Sequence, residues 1–249
     1  MNKYLAFGAL FLVAILGWLF LPTNAVPMLA YHQVGEVDDI YSVTPGQFEE
    51  QMEYLQKNGY HAISLEELFD FYEGKGNLPA KPIIITFDDG YADNYLTALP
   101  ILEKYNLSAT VFIVPSLMGT VDYLSWEQVV EMQKRHTEIG SHTMSHIGMN
   151  EISAAEQKRE AVTSKTALEQ QLGKPIHFFA YPYGQFSTTS QQILKETGYK
   201  GACSGIPGLN DKNTNSYALK RINVPQPKYG LWEFRLRLLR AHLYSKLGL

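Results

Sequence analysis

The sequence predicts an α/β fold, a closed or nearly closed (β/α) barrel, and three observations lead there. Strand-like and helix-like segments alternate after residue 25 with short connections. Strand-like segments such as "PIIIT" (82–86) are continuous apolar runs, as in a parallel sheet buried on both faces. No low-complexity linker, charge block or short-period repeat divides the series, and about 225 residues suit one barrel better than two domains.

Each element has a local reason. "VPMLAYH" (26–32) reads as the first strand. Thr44 starts a helix, with Pro45 at the first helical position, Gln47 closing a capping box and Gly59 as the stop. "YHAIS" (60–64) is a short strand, and Ser64 with Glu67 opens a second capped helix. After "PIIIT", a helix around 94–105 leads into the strand "ATVFIV" (109–114). Ser125 caps a helix beginning at Trp126, followed by the strand "EIGS" (138–141). Ser153 and Glu156 box the start of a long helix ending near Gly173. The strand "HFFAYP" (177–182), a helix over 188–197 stopped by Gly198, and the strands "KGACS" (200–204) and "ALKRINV" (218–224) complete the series.

The two ends differ from this body. Residues 4–21, "YLAFGALFLVAILGWLFL", are apolar throughout and follow Lys3. About 18 such residues reach the lower limit for a membrane-spanning helix. "TNA" (23–25) also resembles the cleavage site of a secretory signal. The chain therefore divides into a signal anchor or signal peptide (1–25), a barrel domain (26–229) and a C-terminal amphipathic helix (230–249). A transmembrane anchor leaves the barrel held on the outer side of the cytoplasmic membrane; a cleaved signal leaves it secreted. The tail mixes leucines with Arg235, Arg237, Arg240 and Lys246, and suits either packing on the barrel or lying on an anionic membrane. A net charge of −4 gives no basic surplus for nucleic acid. The single cysteine, Cys203, excludes an internal disulfide framework or a multi-cysteine metal site and reads as a buried thiol.

In a parallel barrel the functional face lies at the C-terminal ends of the strands. Those ends here carry His32, Asp88 with Asp89, His142, Tyr183, and Arg221 with Asn223. "SHTMSH" (141–146) separates His142 and His146 by four residues, one helical turn, so both imidazoles can face one ion. Two histidines and a carboxylate leave an open coordination position, as a catalytic zinc site requires. Asp89 can complete that set, and adjacent Asp88 can take a proton from water bound to the ion, whose pKa falls from about 16 towards about 7. The structural alternative is an Asp-Asp-Gly turn in which Asp88 caps a helix starting near Asp93.

"TFDDGYADNY" (86–95), "SHTMSH" and "FAYPYG" (179–184) resemble, in order and context, the first three motifs of the polysaccharide deacetylases (NodB homology, carbohydrate esterase family four). The likeness covers about 26–224 and implies a distorted (β/α)7 barrel, TIM-like, that hydrolyses N-acetyl or sometimes O-acetyl groups on glycans. It implies Asp88 as base and Asp89, His142 and His146 as ligands of a divalent cation, Zn2+ by default with Co2+ or Ni2+ also accepted. Tyr183 would supply a backbone N–H to the oxyanion. Two departures stand out. Ala180 occupies the place of the arginine that usually precedes the third-motif tyrosine by three residues, and "LKR" (219–221) stands where a late "L-x-H" normally brings the acid histidine. The opening "PMLAYHQV" and these departures resemble the branch acting on poly-β-1,6-N-acetylglucosamine, in which an early histidine, here His32, serves as acid. The implied partners are an acetylated glycan and, through the N-terminal segment, a membrane. Peptidoglycan and chitin-like oligomers are the rival substrates, and a non-catalytic glycan-binding scaffold is the rival class.

Overall fold

The computed structural model describes Gly17 and residues 23–247. The anchor or signal expected over 4–21 lies outside the described residues, apart from Gly17. Among the described residues, no helix is long and apolar enough to cross a membrane.

Seven parallel strands close into a barrel: β1 (Val26–Tyr31), β5 (Pro82–Phe87), β6 (Thr110–Ile113), β7 (Glu138–Ser141), β8 (Phe178–Ala180), β9 (Gly201–Pro207) and β11 (Leu219–Asn223). The ring shuts where β1 pairs with both β5 and β11. Two short strands distort it at the N-terminal end. There β4 (His61–Ala62) takes the first residues of β5, and β10 (Leu209–Asn210) pairs antiparallel with the first residues of β1. The strands β2 (Gln33–Val34) and β3 (Ser42–Val43) form a separate pair in the loop after β1.

The helices begin where their caps dictate. In α1 (Pro45–Lys57), α2 (Leu65–Tyr72), α4 (Trp126–Lys134) and α5 (Ala154–Leu172), the N-cap hydroxyls of Thr44, Ser64, Ser125 and Ser153 each close a capping box. The cap closing α5 is Gly173 in the left-handed region, φ 66°. One expected helix differs: 94–105 divides into a π-helical turn, Asn94–Ala98, and a short α3 (Leu99–Lys104). Two further α-helices follow, α6 (Thr188–Glu196) and α7 (Leu231–Leu247).

The two-residue period of the strands sorts the side chains into two cores. Ile83, Ile85, Phe87, Val111, Ile113 and Phe179 point outward and pack under the helices. Met28, Ile84, Phe112, Phe178, Cys203 and Leu219 point inward and fill the barrel. Gly140 makes room for them, since a Cβ there would lie 2.5 Å from the Phe112 ring. The Cys203 thiol, fully buried, is pushed up to about 12 by burial, which leaves it inert. The inward phase then continues past the apolar plug to the open end. Ile84 is followed by Thr86 and Asp88, Gly140 by His142, Leu219 by Arg221, and Met28 by Ala30 and His32. The same alternation that fills the core delivers polar side chains to one mouth.

Candidate active site

His32, Asp88, Asp89, His142, His146 and Tyr183, the six residues given chemical roles from the sequence, line one cavity of about 260 Å³ at that mouth, together with the strand-end residues Arg221 and Asn223 and with Tyr41, Gly184 and Gly205.

Asp88 does not cap a helix. The residue before the π turn, Asp93, takes no side-chain cap bond, and Asp88 is held by Arg221 from the far side of the barrel. The guanidinium donates Nη1–H to Oδ1 at 2.7 Å and Nη2–H to Oδ2 at 2.8 Å. Arg221 is itself fixed, its Nε donating to the Ser204 carbonyl at 3.2 Å. Burial alone would raise Asp88, but Arg221, with His142 and His32 nearby, offsets that penalty and holds the carboxyl below the usual range. The orienting contact that Ala180 cannot make thus comes from "LKR", the segment in which the sequence lacks a late histidine. Neither role of Arg221 was legible locally, since 133 residues separate the partners. The usable signal was its inward phase on the last strand, where a buried guanidinium requires an anion.

Asp89 breaks the strand's alternation. Its φ of 74° and that of Gly90, 79°, turn the chain back over the mouth. A side chain at Gly90 would also press on Ile113 and Met118 at 3.0 and 3.1 Å. Asp89 Oδ1 consequently lies 3.4 Å from His142 Nε2 and 3.1 Å from His146 Nε2. His142 follows β7 directly, and its Nδ1 lies 2.7 Å from the Ala180 carbonyl. That carbonyl can only accept, so Nδ1 carries the hydrogen and Nε2 is the ring atom turned towards Asp89.

The helical spacing expected for His142 and His146 is corrected. The segment is a turn with Thr143 at φ 62° and His146 at φ 58°, and the rings converge because the chain reverses. Glu160 of α5 holds this turn. Its carboxylate accepts from the backbone N–H groups of Met144 and Ser145, at 2.9 and 3.0 Å, and from the Ser145 hydroxyl at 3.1 Å. Sequence reasoning missed Glu160, a buried acid in the middle of a helix.

Tyr183 also has left-handed backbone, φ 58°, and its ring packs edge-on against His146 with centroids 5.0 Å apart. The "PYG" turn sits close to β9, because a Cβ on Gly184 would come within 2.4 Å of Gly205. His32 stands across the cavity, its Nε2 4.0 Å from Asp88 Oδ2. Burial pulls its imidazole below the ordinary value despite the two nearby aspartates. The other histidines stay away from the mouth: His177 bonds Glu66 at 2.8 Å and His61 bonds the Ala80 carbonyl at 2.8 Å.

Asp89, His142 and His146 form a set whose ligand atoms lie within 4.8 Å of one another. Asp89 Oδ1 is buried without a hydrogen-bond partner and faces two imidazole nitrogens. One carboxylate oxygen and two imidazole nitrogens gathered this closely are the donor set a divalent metal takes, so the residues present fit such an ion.

Comparison with known proteins identifies the family. The family model described as polysaccharide deacetylase matches residues 75–202. YxkH of Bacillus subtilis (strain 168), which carries the same family name, is 31% identical over 199 residues, 80% of this chain and 71% of that protein. The poly-β-1,6-N-acetyl-D-glucosamine N-deacetylase of Staphylococcus aureus (strain MRSA252) is 31% identical over 198 residues, 74% of this chain and 68% of that protein. Among solved structures, the Streptococcus pyogenes deacetylase PplD in complex with acetate superposes with a TM-score of 0.80 at 26% identity, over 89% of this chain and 99% of that one. The chain belongs to the polysaccharide deacetylase family of hydrolases.

Proposed function

We propose that this polysaccharide deacetylase removes N-acetyl groups from a poly-β-1,6-N-acetylglucosamine exopolysaccharide, on the outer side of the cytoplasmic membrane. The observation that carries the reading is Asp88, a buried carboxylate kept ionised by Arg221 beside a three-ligand metal set. Asp89, His142 and His146 would hold the cation; zinc, cobalt and nickel all accept such donors. When bound, the cation would polarise the acetyl carbonyl and make water more acidic.

The chain's own residues divide the remaining work. Asp88 accepts a proton from the attacking water, and Arg221 keeps it charged until then. The Tyr183 backbone N–H donates to the oxygen that becomes negative as the carbonyl is attacked, a contact worth about 3 kcal/mol. His32 gives a proton to the departing nitrogen. The acetamide C–N bond breaks, the hydroxyl of water stays on the acyl carbon, and acetate and a glucosamine unit leave. With Arg221 paired to Asp88 where a late histidine would stand, His32, 4.0 Å from Asp88, is the histidine of the cavity that lies outside the metal set. Burial lowers its pKa, so once protonated it gives up the proton readily.

The substrate assignment is supported by His32 and by the S. aureus relative named for that polymer. Product chemistry is supported by the S. pyogenes neighbour, which holds acetate. Placement at the membrane is supported by the apolar run 4–21. The test is acetate release from β-1,6-linked and β-1,4-linked N-acetylglucosamine oligomers and from peptidoglycan. Release from the β-1,6 series is expected to lead; activity confined to β-1,4 substrates overturns the assignment. Absence of turnover on all of them, with stoichiometric metal bound, would instead favour a glycan-binding scaffold.

A further inference from the structure

The C-terminal helix α7 is apolar on two opposite faces. Phe234, Leu238 and Ala241 are buried against the barrel, Phe234 packing edge-on to Tyr54 of α1 with ring centroids 6.1 Å apart. Trp232, Leu236, Leu239 and Leu247 are exposed. At 100° per residue these four fall within a stripe of about 80°, turned roughly half a revolution from the buried set. The helix satisfies the barrel with one face and leaves a continuous apolar stripe on the other.

Cations flank that stripe. Arg235 and Arg240 are exposed on its two sides, their guanidiniums lying over Tyr54 at 5.6 Å and Tyr244 at 4.9 Å. Over 231–247 the helix carries four Arg or Lys residues against one acid, Glu233, which already bonds Arg237 at 2.7 Å. Such a charge pattern opposes pairing of two copies through this face, which would set arginines against arginines with no free acid between them. Thr23 and Ala25 line a cavity of about 300 Å³ together with Leu238 and His242 of α7. The 18-residue apolar run 4–21 immediately precedes them in sequence.

We propose that the exposed stripe of α7 lies flat on an anionic lipid bilayer, beside the point where the run 4–21 enters it; this rests on the membrane placement proposed above. The apolar side chains reach into the headgroup boundary while Arg235 and Arg240 meet anionic headgroups, the arrangement of an interfacial helix. A tether alone leaves the barrel free to tumble; a second contact fixes the direction in which its mouth faces.

The test uses the full chain reconstituted with vesicles of phosphatidylcholine, with or without phosphatidylglycerol, whose acyl chains carry bromine as a quencher. An environment-sensitive fluorophore is attached through Leu239→Cys, native Cys203 being buried, and in a second preparation through Val121→Cys, an exposed site after β6. Quenching is expected at 239 in the anionic vesicles and not at 121. Arg235→Gln and Arg240→Gln should each lower the ratio of docked to undocked helix about fivefold, and raised salt should act in the same direction. Acetate release from a soluble oligosaccharide should be unchanged, which verifies folding. Protein that floats with the vesicles while 239 stays unquenched overturns the docking of α7 and spares the anchor. Equal quenching in neutral vesicles, or no loss on removing both arginines, overturns the anionic surface as partner. Failure to float overturns both docking and anchor.

Discussion

Asp88 and Glu138 are carboxylates turned into the same barrel, one at each end, and they are held in opposite ways. At the mouth, Asp88 receives two charged N–H bonds from Arg221 and stays ionised below the usual range. At the N-terminal end, Glu138 receives the Thr110 hydroxyl at 2.7 Å and the backbone N–H groups of Leu65 and Glu66, at 2.9 and 3.0 Å, at the start of α2. Burial there outweighs three neutral donors, and the carboxyl is pushed up to about 7. Between them Met28, Ile84, Phe112 and Phe178 exclude water from the barrel. Three neutral bonds leave an acid titrating near neutrality, whereas a paired guanidinium holds the carboxyl below its usual range. A structural cap tolerates the first condition. A general base at neutral pH requires the second.

The largest expected effect comes from removing the anion that the mouth was built to hold. Asp88→Asn should lower acetate release by roughly three orders of magnitude while metal stays bound and unfolding stays cooperative, at a lower melting temperature because the buried Arg221 loses its counter-ion. Retained turnover would remove Asp88 from the mechanism.

Removing the cation instead makes the mouth resemble the other end. In Arg221→Gln, Asp88 keeps a neutral donor only, so burial should raise its pKa. A base must be ionised to act, so the acidic limb of the kcat/KM profile should shift to higher pH and activity near neutrality should fall by roughly a hundredfold. An unmoved acidic limb would show that Arg221 does not set the charge on Asp88. His32→Gln probes the acid separately. Amide hydrolysis should fall by roughly a hundredfold, while an aryl acetate, whose leaving group departs without a proton, should lose far less. Equal losses on both substrates would refute the acid role.

How much of this was legible in the sequence follows the range of the interaction. The capping pairs Thr44–Gln47, Ser64–Glu67 and Ser153–Glu156 act within one turn, and each appears where its residues indicate. Apolar runs locate the strand ends, so the six site residues could be gathered before their geometry was known. The pairing of Arg221 with Asp88 and the hold of Glu160 on the Met144–Ser145 turn are contacts between distant segments, with no local motif. The reversal at Thr143 and His146 was hidden for another reason. Four-residue spacing suits a helix, and only the closed barrel, with Asp89 already in place, favours left-handed backbone at two non-glycine residues.

The smallest expected effect on activity, and the closest test of the contrast, lies at the other end. Glu138 has its folded pKa raised to about 7 from an ordinary 4.5. Its contribution to stability is therefore full below about 4.5 and lost as pH rises through about 7, because the unfolded chain ionises more easily than the folded one. Asp88, with its pKa lowered from 3.8, contributes in the opposite sense: its share is present above 3.8 and lost as pH falls through the depressed value. Glu138→Gln carries no charge at any pH, though it loses an acceptor for one of the donors at the start of α2. Wild type should be the more stable at pH 5, and the gap should narrow by pH 8, measured by denaturant unfolding at both values. Acetate release at neutral pH should stay within about twofold of wild type, since the apolar plug separates the substituted carboxyl from the mouth. A gap that does not change with pH would mean that Glu138 is ionised throughout. Neutral donors at a helix start would then hold a half-buried charge as well as Arg221 holds Asp88, and the distinction between the two ends would fail.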